Sequence, residues 1–300
     1  MALVGCYVAL CKPLVAAVPV FLLGWMRFGI AGIAMAAWWR KPADEPPMSA
    51  QTQKLLFLES FVGNFLFSLC MLFGVSMTSA VSAGLILAAI PATAALMGHL
   101  VLGDRLNARI GLAVACAAAG IGLLALSKSH PDGTSATLAA DAARSREWLG
   151  DLLVFGAVLC ESTFIVIGKK LSAGIGPKRI AAIINGWGFV LMTPAGLYWA
   201  LRFDFSTLDA TLWVLLVFYA MAASVWMVWL WMTGMKTIPA AEAGVFSAML
   251  PITAAAIGVL VFDETWTGLQ AIAFGLALAG LLLATLPNRG AQRPTTGETP

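Results

Sequence analysis

The stretch from Ala80 to Ala95 recurs, at its small and bending positions, from Ala240 to Ala255. Ala80, Ala83, Gly84, Ala88, Pro91, Thr93, Ala94 and Ala95 return as Ala240, Ala243, Gly244, Ala248, Pro251, Thr253, Ala254 and Ala255. The register continues without a gap, pairing Gly74 with Gly234, Val101 with Val261, Asp104 with Glu264 and Gly120 with Gly280. A duplicated half inside an apolar chain is the sequence mark of a secondary transporter. Apolar it is: 60% of the residues are hydrophobic and 11% charged, against about 25% charged in a soluble domain.

Breaks at Pro, Gly and charged clusters divide the chain into ten candidate helices, over 1–17, 20–39, 55–77, 80–101, 108–127, 148–168, 180–201, 211–234, 241–262 and 267–287. Most approach the roughly 20 residues that cross a bilayer core of about 30 Å. The expected fold is an all-α integral membrane protein, with ten transmembrane helices arranged as two inverted five-helix repeats. The expected organisation is a first repeat over 1–127, a polar loop over 128–147, a second repeat over 148–287 and a disordered polar tail over 288–300. Cys6, Cys11, Cys70, Cys116 and Cys160 all lie in apolar segments without paired spacing, and read as packing residues rather than a disulfide or zinc framework. No basic stretch precedes the first apolar segment, which argues against a cleaved signal peptide.

Lys and Arg in the loops set the orientation. Arg40, Lys41, Lys54, Arg105, Arg109, Lys169, Lys170, Lys178, Arg179, Lys236, Arg289 and Arg293 fall on one side. Lys12, Lys128, Arg144, Arg146 and Arg202 fall on the other. The larger set places both termini in the cytoplasm, in an inner membrane. Five helices per copy is an odd number, so tandem copies sit with opposite polarity and their matching loops should differ in basic charge. They do: Arg105 and Arg109 follow helix 4, whereas Asp263 and Glu264 follow helix 9. Lys12 aligns with Lys169, which puts it at the outer end of helix 1, where its ammonium can snorkel to the interface. Only eleven residues precede Lys12. Either the start is late or the first helix is stunted.

The Arg27-Phe-Gly-Ile-Ala pattern in helix 2 resembles a mark of the drug/metabolite transporter superfamily, EamA type. So do the repeated Ala-x-x-Ala-Gly…Pro pattern of helices 4 and 9 and the acidic turns Gly103-Asp-Arg-Leu106 and Asp263-Glu-Thr-Trp266. The resemblance spans nearly the whole chain. It implies a ten-helix inner-membrane carrier with a solute cavity between the repeats, often an exporter of amino acids, other metabolites or drugs, with no cofactor. The polar start usual for helix 1 is absent here.

Pro91 and Pro251 sit near mid-helix, where a ring removes an amide donor and crowds the carbonyl four residues earlier. They read as paired kinks bordering the cavity, or else as static bends. Ionisable groups within the spans are few, and a charge at the bilayer centre costs about 2.5–3.5 kcal/mol on insertion scales. Glu161, roughly 20 Å from the outer edge at 1.5 Å per residue, is the deepest acid. It is the candidate coupling carboxyl or contact for an amine; the rival reading is a structural partner for Arg27 or for a cytoplasmic base. Arg27 either binds a solute carboxylate or holds backbone carbonyls. Glu59 reads as interfacial, Glu242 as a helix cap and Asp151 as suited to the first turn of helix 6. Trp226, Trp229 and Thr233 share a helix face that could be an aromatic wall for a ligand or simply core. Asn64 and Asn185 are either cavity residues or inter-helix hydrogen-bond partners. Helices 5 and 10 are rich in Ala and Gly and read as braces; a homodimer contact is left open.

The function this supports is a secondary transporter, exporting a small organic solute through the lipid bilayer by alternating access, with proton coupling a further option. There is no phosphate-binding loop for direct use of ATP. A membrane-embedded enzyme is the rival class, but His99 and His130 are the only histidines and no metal-spaced cluster is present. A channel or lipid flippase on the same scaffold is the third reading. No basic cluster suggests nucleic acid.

Overall fold

The computed structural model describes residues 1–41, 45, 47–102, 108–129, 138–171, 175–234, 249–264 and 267–285. Within them every regular element is helical: α1 (Ala2–Ala17), α2 (Val20–Ala34), α3 (Ala50–Met77), α4 (Ala80–Leu87 continuing as Ile90–Leu102) and α5 (Ala108–Ser129). Then come α6 (Leu138–Leu171), α7 (Pro177–Ala200), α8 (Ala210–Ala220, Met221–Trp226 and Met227–Gly234), α9 (Met249–Phe262) and α10 (Gly268–Thr285). α3, α4, α6, α7 and α8 are long and apolar enough to cross a membrane, and the other five are shorter apolar helices.

The starts follow from local chemistry. The first amides of a helix lack intrahelical partners, and a side-chain oxygen just before them supplies one. Ser49 accepts from the Thr52 amide at the head of α3, Ser79 from the Ser82 amide at α4, and Asp209 from the Leu212 amide at α8. Pro177 opens α7, where its missing N–H costs nothing. α4 is interrupted at Ala88 and Ala89, two residues before Pro91. Residues 241–248, which precede Pro251, lie outside the described residues, as does Glu242.

Some elements depart from the sequence reading. α6 begins at Leu138, inside the segment expected to be a loop, because Leu138-Ala-Ala-Asp-Ala-Ala is made largely of strong helix formers. Asp151 therefore sits well inside α6 rather than in its first turn, and accepts from the Thr78 hydroxyl at 2.6 Å. α2 ends at Ala34 and passes into a tighter turn over Ala36–Trp39. α1 has 16 residues and runs past Lys12. All five cysteines are free thiols. The tail beyond 285 lies outside the described residues.

α5 packs against α10, α2 against α7, α3 against α6, and α1 and α4 each against α9. Lipid offers little hydrophobic drive between helices, so such contacts depend on how closely backbones approach. At the α5–α10 crossing the approach is closest at two glycines. A methyl on Gly120 would lie 2.9 Å from the Ala273 carbonyl oxygen, and one on Gly280 would lie 2.8 Å from that of Ala113. In the register that pairs Pro91 with Pro251, Gly120 matches Gly280 and Ala113 matches Ala273. The same contact is thus made twice with the partners exchanged. The small-residue faces expected as braces are used on each other within one chain. Gly122 and Gly275, on the same helices, face open space. Gly120→Ala and Gly280→Ala should each lower stability in thermal melts by about 1–3 kcal/mol, the usual scale of overpacking. Gly122→Ala and Gly275→Ala should be neutral or should stabilise, by up to about 1 kcal/mol of helix propensity.

Candidate functional site

Two helices leave α geometry at their centres. α3 is π-helical over Glu59–Leu66 and α8 over Met221–Trp226. In the repeat register Leu66 matches Trp226, so the two wide turns end at equivalent positions. A π turn hydrogen-bonds five residues back and is frequent at functional sites. Here α7 clasps both. The Asn64 side-chain amide donates to the Ile184 carbonyl at 3.0 Å, and the Asn185 amide donates to the Ser224 carbonyl at 3.3 Å. Neighbouring residues of one helix therefore hold the two irregular segments, and Asn64 and Ser224 are themselves register partners.

Arg27 of α2 reaches into this region and is 3% exposed. One terminal nitrogen donates to Asn64 Oδ1 at 3.2 Å and Ser68 Oγ at 2.8 Å, and the other to the Tyr219 hydroxyl at 3.4 Å. Its guanidinium also lies 4.4 Å from the centre of the Phe28 ring. A buried charge needs such partners. Arg27 thereby ties α2 to α3 and α8.

Beside it lie two adjoining voids. One is polar, with a volume of about 30 Å³, and Arg27, Asn64, Tyr7 and Glu161 are in its wall. The other is apolar, about 20 Å³, and is walled by Val4, Val8, Leu87, Pro91 and Leu250 among others. Tyr7, Phe67, Glu161 and Met227 border both. Phe67 and Met227 are register partners, each one residue past its π segment. A water needs roughly 10–15 Å³ on this measure, so each void takes one to three waters. In this conformation an organic solute fits only if the walls part.

Glu161 and Asn64 are thus at the cavity, with Arg27 beside them and Pro91 in the apolar wall. Pro251 is buried in α9, next to the wall residue Leu250. Asn185 is 1% exposed and serves the α7–α8 clasp instead. Trp226 and Trp229 are each 37% exposed and border neither void; Trp226 meets Phe218 edge-on, and Lys178 lies 6.0 Å from the Trp229 ring. Glu59 is fully buried within the protein, its carboxyl oxygens have no hydrogen-bond partner among the described residues, and it lies within electrostatic reach of Glu161. It opens the π segment of α3, and sequence spacing alone does not show that it packs inside the bundle. Tyr7, Ser68, Phe67, Met227 and Tyr219 carried no charge signal. For Phe67 and Met227 the clue available was the repeat register itself.

The EamA-like transporter family pattern matches residues 1–126 and 148–286. The chain belongs to the EamA-like transporter family. It is 27% identical, over 96% of its own length and 85% of the relative's, to an uncharacterized transporter, YetK, of Bacillus subtilis (strain 168). A protein of known crystal structure shares the fold, with a TM-score of 0.59 at 19% identity over 95% of this chain and 96% of that one. Membership of the EamA family and these apolar helices make the protein a multi-pass membrane transporter.

Removing Arg27 would orphan the groups it holds. Arg27→Ala should lower the stability of the purified protein by about 3 kcal/mol, each orphaned buried polar group costing about 1–3 kcal/mol. Arg27→Lys should recover less than half of that, because an ammonium lacks the planar fork that reaches Ser68 and Tyr219 together. Thermal melts compare the two variants.

Proposed function

We propose that this EamA-family protein is a secondary carrier that exports a small organic solute across the inner membrane. Its ten helices form two inverted five-helix repeats, residues 1–127 and 148–287, with both termini in the cytoplasm. Solute passes by alternating access through the cavity beside Arg27. The observation that carries the reading is the place of Glu161: one acidic residue borders both voids, where a titrating group can sense whether the cavity is filled. We assign Glu161 as the coupling carboxyl, which exchanges a proton as the solute comes and goes. Arg27 and Asn64 shape the polar wall, and the apolar wall with Pro91 accepts the hydrocarbon part of the solute. The repeat reading is supported by the exchanged Gly120 and Gly280 contacts, the matched π segments and the Phe67–Met227 pair.

The test needs a solute. Cells overexpressing the protein, grown on inhibitory amino acids and amine drugs, should tolerate at least one of them better than controls. In proteoliposomes that compound should saturate and show counterflow, which a channel does not. Glu161→Gln should cut its exchange by about tenfold, within the 5–150-fold range of typical coupling, and should flatten its pH dependence between about pH 5 and 8. Unchanged kinetics across that range would remove Glu161 from the mechanism.

A further inference from the structure

At one end of the bundle a single carboxylate joins three helices. Glu264 follows α9 and is held there by the backbone. Asp263 takes a left-handed conformation, with φ of 50°, and the Glu264 amide donates to the Gly258 carbonyl six residues back at 3.0 Å. The left-handed residue ends α9 as C-terminal caps commonly do, and the bond spans one residue more than a Schellman closure. It aims the Glu264 side chain across the seam at α4. Oε1 accepts from the Ala80 amide at 3.0 Å and from the Lys12 ammonium of α1 at 2.6 Å, and Oε2 accepts from the Val81 amide at 3.0 Å. Ala80 and Val81 supply the first two amides of α4, which no residue of α4 itself can satisfy. A carboxylate there also meets the positive end of the helix dipole. Lys12 further lies 5.6 Å from the centre of the Phe262 ring. Burial works against the charge on Glu264, but Lys12 and the Val81 and Ala80 amides outweigh it and hold the carboxyl below its usual range. It is therefore ionised at neutral pH.

The three joined elements are also walls of the apolar void. α1 contributes Val4, Tyr7 and Val8, α4 contributes Leu87, Ile90 and Pro91, and α9 contributes Leu250. Beneath the carboxylate α4 and α9 touch closely: a methyl on Gly84 would lie 3.3 Å from the Pro251 carbonyl oxygen. Gly258 is equally constrained, since a methyl there would lie 3.0 Å from Glu264 Oε2. The wall thus closes along one seam, between α4 on one side and α9 on the other, with Lys12 as a third anchor.

We propose that Lys12, Glu264 and the Ala80 and Val81 amides form the outer gate of the transport cavity, a latch that must part for solute to leave. The inference rests on the carrier reading of the cavity and on the outer placement of Lys12 by loop charge. The latch suits reversible opening. Its members sit at a helix end and a loop, with the Lys12 side chain 34% exposed, so water replaces each bond as the seam parts.

A solute-free measurement tests it. In the full-length chain with its five cysteines replaced, Leu87→Cys places one thiol on the apolar wall. A membrane-impermeant maleimide is added outside intact cells. With the latch whole, labelling is slow. Glu264→Gln should speed it by about tenfold, equivalent to about 1.4 kcal/mol, and Lys12→Met by a smaller factor, because it leaves the amides capped. Equal labelling rates in all three proteins, at equal yield and melting temperature, would overturn the latch. If Glu264→Gln fails to accumulate, Lys12→Met decides by the same comparison. Faster labelling with no solute flux in proteoliposomes would support the latch and sink the carrier reading; intact flux with unchanged labelling would sink the latch alone.

Discussion

In hydrocarbon a helix must satisfy its own backbone, so any departure from α geometry has to be answered by protein or by a water-filled cavity. This protein departs at the centre of α3, the centre of α8 and the middle of α4, and each departure is answered. Asn64 and Asn185 join α7 to the two π segments. Ser162 and Thr93 share a hydrogen bond at 2.6 Å beside the break in α4, and the Thr93 hydroxyl also reaches the Ile90 carbonyl at 3.0 Å. The irregular turns lie around the same small cavity. Irregular backbone and cavity therefore occur together, as the solvent requires.

The periphery is built differently. There the backbones of α5 and α10 approach closely at Gly120 and Gly280, against Ala273 and Ala277 on one side and Ala113, Cys116 and Ala117 on the other. A contact of that kind has little freedom to slide. The centre instead holds wide turns, side-chain hydrogen bonds and space for water. A stiff frame around an adjustable core is what the proposed alternating access needs, since the cavity can change shape only if the frame does not.

Much of this was legible in the chain. The register linking Pro91 to Pro251 and Gly120 to Gly280 is visible in the chain, and helices 5 and 10 read as braces. That α5 packs on α10 and that matched positions end two π segments came from the fold. The depth of Glu161 marked it as a cavity residue. What stayed hidden depended on distance in sequence or on local winding. By sequence Glu59 stands near a helix end, and its burial depends on helices packed against it that spacing does not reveal. Lys12 and Glu264 are far apart in the chain, and only the fold brings their charges to one helix end. Trp226 and Trp229 share a face, as the spacing said, but periodicity does not say which way a face points. The helical start of α6 at Leu138 was lost because polar composition outweighed propensity in the reading of that segment.

The account stands on the two halves crossing the membrane in opposite senses. Ala50 and Ala210 open α3 and α8, both are exposed, and they match in the repeat register. Single cysteines at these two positions, in an otherwise cysteine-free chain, can be labelled by an impermeant thiol reagent in intact cells and in inverted vesicles. The account requires Ala210→Cys to label only in cells and Ala50→Cys only in inverted vesicles. Labelling of both from the same side would contradict it.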